Sequence, residues 1–111
     1  MDTHIITIFR NRLRQENAEN YAVEAARMSE LAHGMPGFID SKTFSSTDGE
    51  RVTIVTFADR AAHDAWRNHP EHRQAQKNGI DLYYTDYSIQ VGEVTYENSF
   101  HLHNEQSGDQ S

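Results

Sequence analysis

Hydrophobic and polar positions along the chain alternate between two periods. From His4 to Leu13 the apolar residues Ile5, Ile6, Ile8 and Phe9 run without a breaker, which predicts a strand. Period two puts Ile5, Thr7, Phe9, Asn11 and Leu13 on one side and Ile6 and Ile8 on the other. Asn11 then sits between Phe9 and Leu13 on a side expected to be buried. There its amide must find hydrogen-bond partners or face a ligand. The period changes at Ala18. Tyr21, Ala25, Met28 and Ala32, with Leu31 beside them, form an apolar stripe at helical spacing through Ala32. Asn17 is the expected N-cap, Gly34 the stop, and Met35-Pro36-Gly37 a tight link to the next strand.

Phe38 to Ser46 is a weaker strand with Phe38 and Phe44 in phase, and Asp48-Gly49 is a hairpin dipeptide. Arg51 to Ala58 is a strong strand that completes the hairpin. Asp59 caps a helix through Ala61, Ala62, Ala65 and Trp66. Asn68-His69-Pro70 interrupts it, and Pro70 starts a second helix with His69 as N-cap and Glu71 near its positive end. That helix runs to about Lys77, and Gly79 weakens any extension towards Tyr84. Tyr84 to Tyr96 is the last strand, with Tyr87, Ile89 and Val91 on one side and Val94 and Tyr96 on the other. The phase flip at Gly92-Glu93 predicts a bulge there, so that an overlong final strand could serve its own sheet first and a partner afterwards. Asn98 to Ser111 is polar and without pattern, and Gln106 to Ser111 is expected to lack order. The order β-α-β-β-α-β defines an α+β, ferredoxin-like domain over residues 1–97, a four-stranded antiparallel sheet with helices on one face, followed by a tail over residues 98–111. The uncovered face carries enough apolar residues to need a cover, and a second copy of the same sheet is the expected one.

Composition narrows the function. The 111 residues are one domain's worth and contain no cysteine, which removes disulfides, thiolate nucleophiles and thiolate metal sites. The start carries no visible signal peptide, and no apolar run reaches a membrane span, so a cytoplasmic protein is expected. Ten Lys plus Arg against 17 Asp plus Glu gives a formal charge of −7, which disfavours nucleic acid as a partner. Arg10, Arg12 and Arg14 make a local basic row, read as a solvated strand end rather than an anion site. His69-x-x-His72 lacks the zinc-protease arrangement of Glu directly after the first His, and His101-x-His103 lies at the start of the tail, so no metal site is expected. No nucleophile elbow, phosphate loop or dinucleotide fingerprint is present.

Four stretches together carry a resemblance: Ile8-Phe-Arg-Asn-Arg-Leu13, Gly34-Met-Pro-Gly-Phe38, Trp66-Arg-Asn-His-Pro-Glu-His-Arg-Gln-Ala-Gln76, and Tyr83-Tyr84 leading to Tyr87-Ser-Ile-Gln-Val91. Over about residues 4–97 the chain resembles the antibiotic biosynthesis monooxygenase family of the dimeric α+β barrel superfamily. The resemblance implies a homodimer whose sheets pack into a barrel, with a cavity between sheet and helices in each subunit. It implies either cofactor-independent oxidation of an aromatic, polyketide-like or quinol substrate by O₂, or heme binding and breakdown. A dimeric, non-enzymatic small-ligand module on the same fold is the alternative to both. In the heme-degrading branch an Asn on the first strand matches Asn11, and a Trp on the second helical segment matches Trp66. The axial His expected ten residues after that Trp is Gln76 here, and an amide is a poor ligand for iron. His72 lies one turn before Gln76. On this reading Asn11, Trp66 and His72 are the candidate catalytic residues, and Phe9, Gln76 and Tyr84 line the cavity.

Overall fold

The computed structural model describes residues 3–102. The chain forms β1 (Ile5–Leu13), α1 (Ala18–His33), β2 (Phe38–Ser45), β3 (Arg51–Phe57), α2 (Arg60–Arg67), α3 (Pro70–Asn78), a π-helical turn (Gly79–Tyr83) and β4 (Tyr84–Glu93). The strands make one antiparallel sheet in the order β2-β3-β1-β4, which is the split βαβ topology expected from the sequence. Ala32 of α1, Phe57 of β3 and Trp66 of α2 are buried together, with Met28, Leu31, Met35, Phe38, Val55 and Ala62 packed around them. That cluster fixes which side of the sheet the helices cover. Strand pairs place Ile5 opposite Phe57 and Thr7 opposite Val55, so the helix side of β1 carries Ile5, Thr7, Phe9 and Asn11. The other side carries Ile6 and Ile8 with Val52, Ile54 and Phe44, and no described element covers it.

The caps follow local chemistry. The Asp59 carboxylate accepts the Ala62 N–H at 2.8 Å, and His69 Nδ1 accepts the Glu71 N–H at 3.1 Å ahead of Pro70. Asn17 behaves differently from the expectation. It stands at the start of α1 in left-handed backbone (φ 66°) and makes no cap with its side chain. Its amide instead donates to the Leu82 carbonyl at 3.2 Å, so a tertiary bond has taken the side chain that a local cap would use. Gly34 caps α1 in ordinary right-handed backbone, and the positive φ (82°) belongs to Gly37. There a Cβ would also lie 2.5 Å from the Ala62 Cβ.

Two register details differ from the sequence expectation. The bulge on β4 falls not at Gly92 but at its start, where pairing shifts between Arg12 and Leu13; at the far end Glu93 pairs regularly with Ile5. On β2 a second shift, between Phe38 and Asp40, takes Phe38 out of phase with Phe44. Phe38 therefore pairs with Phe57 and enters the core, while Phe44 pairs with Val52 on the open side. The basic row is absorbed into local pairing. Arg10 and Arg12 bind Glu50 and Asp48 of the hairpin at 2.8 and 3.0 Å, and Arg14 donates to the carbonyls of Ile80, Asp81 and Tyr84. His103, the second half of the tail's His-x-His pair, lies outside the described residues.

Candidate functional site

Asn11 is 2% exposed, and its Oδ1 has no hydrogen-bond partner. An unpaired buried carbonyl costs about 1–3 kcal/mol, so the position is expensive unless something binds to it. Its strand partners are Arg51 on β3 and Tyr87 on β4. Aromatic rings surround this end of the sheet. Phe9 lies 5.5 Å from Tyr84 and 5.9 Å from Tyr87, centroid to centroid, and Tyr84 and Tyr87 are 6.0 Å apart. Tyr21 of α1 closes the group from above, 6.2 Å from Tyr84 and 5.4 Å from Tyr83. Its hydroxyl accepts a 2.6 Å bond from Arg51. Burial pushes the Tyr84 hydroxyl far above its ordinary value, so it stays protonated and able to donate.

The bend that delivers Tyr84 depends on Gly79, which ends α3 and opens the π-helical turn. A Cβ at Gly79 would overlap the Tyr84 ring. Below the turn the Tyr83 hydroxyl donates to Glu24 at 2.9 Å, and Asn78 donates to the same carboxylate at 2.9 Å.

A second group is built on α2 and α3. Trp66 is 8% exposed, and His72 stacks on it with centroids 4.2 Å apart and planes 16° from parallel. His72 Nδ1 lies 3.2 Å from the Trp66 carbonyl oxygen. A carbonyl can only accept, so Nδ1 carries the proton and Nε2 keeps its lone pair. Burial pushes His72 below its ordinary value of 6.5, against an opposing effect from that hydrogen bond. The imidazole is therefore neutral at pH 7.

The two groups share one side of the sheet but not one point on it. The core holding Trp66 rests on Phe57 and Val55, whereas Asn11 lies opposite Arg51. Val55 to Arg51 is four strand positions, about 13 Å. Between them Thr7, Phe9, Thr53 and Val55 face the helices and are only partly buried. Gln76 joins neither group. It is exposed and lines a polar surface depression of about 440 Å³ with Asp64, Arg67, Asn68 and Arg73.

One buried polar residue had no place in the sequence reading. His63 is 5% exposed, beside Phe57, with Nδ1 2.9 Å from the Asp64 carboxylate. Its position three residues before Trp66, on the same helical face, was the available signal. Arg51 was likewise hidden within an apolar strand. Among the described residues no cluster of three or more His, Asp or Glu side chains could hold a metal ion. The position resembling the axial His is an exposed amide, Gln76, a poor ligand for iron, so the residues present do not fit heme at that position.

The βαββαβ order and the four-stranded antiparallel sheet with helices on one side define a ferredoxin-like α+β protein of the kind found in dimeric α+β barrels. The chain belongs to the antibiotic biosynthesis monooxygenase family, whose model matches residues 4–78. β4 lies beyond that match and is supported by structure. Rv0793 from Mycobacterium tuberculosis is similar over 87% of this chain and 100% of its own, with a TM-score of 0.76 and 19% identity. SnoaB from Streptomyces nogalater, a cofactor-independent oxygenase matched through the structure of a point mutant, covers 87% and 96% with a TM-score of 0.68 and 17% identity. A conserved protein from Methanosarcina mazei Go1 covers 81% and 91%, with a TM-score of 0.71 and 11% identity. At such identities the likeness is one of fold. Among curated proteins none matches the sequence. No helix among the described residues is long and apolar enough to cross a membrane.

Proposed function

We propose that this chain is a cofactor-independent monooxygenase that oxidises a flat, electron-rich polycyclic phenol, anthrone or quinol with O₂ between the sheet and the helices. The observation that carries this reading is the unpartnered buried Oδ1 of Asn11, set among the rings of Phe9, Tyr84 and Tyr87. A phenolic O–H satisfies that oxygen directly. Turning the amide about its last torsion presents Nδ2–H to the oxyanion formed once the proton leaves. The separation between Asn11 and the Trp66–His72 pair favours a fused ring system over a single ring.

In this mechanism the substrate supplies the electrons. His72, neutral and with Nε2 free, takes the proton from the reacting carbon, at the end of the ring system away from the oxygen held by Asn11. Trp66, Phe9 and Tyr84 hold the flat anion and exclude water. The anion passes one electron to O₂, the two radicals combine to a peroxide, and loss of water leaves the carbonyl. For an anthrone the balance is one CH₂ and one O₂ giving one C=O and one H₂O. Members of the family are typically dimers. The open side with Ile6, Ile8, Phe44, Val52 and Ile54 supports the same for this chain, because a second copy would remove that surface from water.

The test is O₂ uptake by the purified protein in metal-free buffer with a panel of tricyclic and tetracyclic anthrones and hydroquinones. Equal moles of O₂ consumed and carbonyl product formed are expected. Asn11→Ala and Trp66→Phe should each cut turnover at least tenfold with the circular dichroism spectrum unchanged. Wild-type rates in both variants would overturn the site. Tight binding without O₂ uptake across the panel would leave a ligand-binding module instead.

A further inference from the structure

Arg51 is a half-buried cation that pairs with no carboxylate of a described residue. The other cations are accounted for. Arg10 and Arg12 are held by Glu50 and Asp48, Arg27 by Glu71 and Glu30, Arg60 by Glu93 and Lys77 by Asp81. Arg14 is engaged by three backbone carbonyls. Lys42, Arg67 and Arg73 are exposed, where water solvates them. Arg51 makes one side-chain hydrogen bond among the described residues, from Nη1 to the Tyr21 hydroxyl at 2.6 Å, and its guanidinium carbon lies 5.2 Å from the Tyr21 ring centroid.

The strand sets this placement. Odd-numbered residues of β3 face the helices, as Val55 and Phe57 do. Arg51 therefore points under α1. Its neighbour Glu50 is drawn to Arg10, which pairs with Val52 and so stands on the open side of the sheet. The sheet thus stands between Arg51 and the nearest carboxylate in sequence. Directly across from Arg51 on β1 is Asn11, with its buried and unpartnered Oδ1. Residues opposite each other on one face have Cβ atoms about 4.5–5.5 Å apart, so one ligand can meet both side chains. The Arg51 charge also reaches the aromatic group: burial raises the Tyr84 hydroxyl most, and Arg51 opposes that rise.

We propose that Arg51 selects an acidic substrate: a fused aromatic ring system carrying a carboxylate at the end held by Asn11. This rests on the oxygenase reading given above and adds the charge of the substrate and the residue that recognises it. Arginine meets a carboxylate through two parallel N–H donors, and Nε and Nη2 are the pair that remains when Nη1 is on Tyr21. The chain as a whole carries −7, so its overall field repels an anion and the selection has to be local.

Equilibrium dialysis of the purified protein in metal-free buffer against two already oxidised ring systems tests this. Rhein is a dihydroxyanthraquinone with a carboxylate, and aloe-emodin is the same molecule with a hydroxymethyl group in its place. The wild-type protein should bind rhein at least tenfold more tightly. Arg51→Gln should lose that preference by weakening rhein alone, and Arg51→Lys should keep part of it. Tyr21→Phe removes the Nη1 acceptor, keeps the charge and should keep the preference. Should Arg51→Gln fail to fold, Arg51→Lys and the wild-type ratio carry the test. An Arg51 that only braces α1 through Tyr21 would weaken both ligands alike in Arg51→Gln and in Tyr21→Phe, which would overturn the proposal. Equal binding of the two by the wild type, or a preference that survives Arg51→Gln, would overturn it and keep the site. Failure of both ligands to bind would overturn the site itself, and the acidic substrate with it.

Discussion

His72 lies flat on Trp66, rings 4.2 Å apart, and its Nδ1 is 3.2 Å from that same residue's carbonyl oxygen. One residue thus supplies both the wall that desolvates the imidazole and the acceptor that fixes its tautomer. Trp66 is the only tryptophan and has two imidazoles beside it, His72 stacked at 4.2 Å and His69 tilted at 5.9 Å, so its fluorescence is read in the His69→Asn variant, which keeps a capping side chain and leaves His72 as the titrating neighbour. Protonating His72 should quench that emission. The midpoint is expected below 6.5, the ordinary value, since burial opposes the charged form. A midpoint at or above 6.5 would show that the stack opens in solution.

The same shift has a consequence for stability. Well above pH 6.5 His72 is neutral in both the folded and the unfolded chain and contributes no slope. As the pH falls below 6.5 the unfolded chain takes up the proton first, and stability declines until the folded-state value is passed. His72→Phe keeps a ring against Trp66 and removes the proton. Urea melts of that variant between about pH 7 and pH 5 should lose part of the wild-type slope.

Asn11→Leu should separate stability from activity. The substitution keeps the branching and the number of heavy atoms and removes the buried carbonyl that has no partner. Unfolding free energy is expected to rise by about 1 kcal/mol, from the lower end of the cost of an unsatisfied buried group. Turnover should fall by at least tenfold. A loss of stability greater than about 3 kcal/mol, beyond what overpacking by the larger side chain costs, would mean that the amide is satisfied in solution.

Gly79→Ala should be costly although alanine is the better helix former. The added methyl group would overlap the Tyr84 ring, which itself packs against Phe9 and Tyr21. Overpacking of this kind costs about 1–3 kcal/mol. Thermal melts should show the drop, and a substrate that needs Tyr84 should bind more weakly.

Tyr83→Phe removes one of the donors to Glu24 and leaves that of Asn78. A hydrogen bond to a charged group contributes about 1.5–3 kcal/mol, and the expected loss lies at the low end because the carboxylate keeps a partner. Chemical denaturation of this variant beside Asn78→Ala and the double mutant would measure their coupling.

Much of the fold was legible because it is periodic. Ile5, Thr7, Phe9 and Asn11 fall on the helix side as period two requires, and Asp59 and His69 cap their helices as their chemistry predicts. Phe38 and Phe44 show where periodicity stops. They stand six residues apart and so in phase, yet one register shift sends Phe38 to the core and Phe44 to the open side. A shift of that kind is chosen by the fit of Phe38 against Phe57 and Trp66, which are distant in sequence. Asn17 was lost as a side-chain cap for a similar reason, since the Leu82 carbonyl, 65 residues on, competes for its amide.

Residue type and nearest neighbours were enough for the order of strands and helices, the two sides of β1, the caps at Asp59 and His69 and the family. The sequence also placed Asn11 on a side expected to be buried. The three-dimensional packing alone settles that its carbonyl stays unpaired, that Trp66 and His72 stack, that Gln76 lies apart from them, and that Tyr96, Phe100 and Leu102 are exposed. Each of those depends on which distant side chains arrive at the same point, and local propensity carries no information about that.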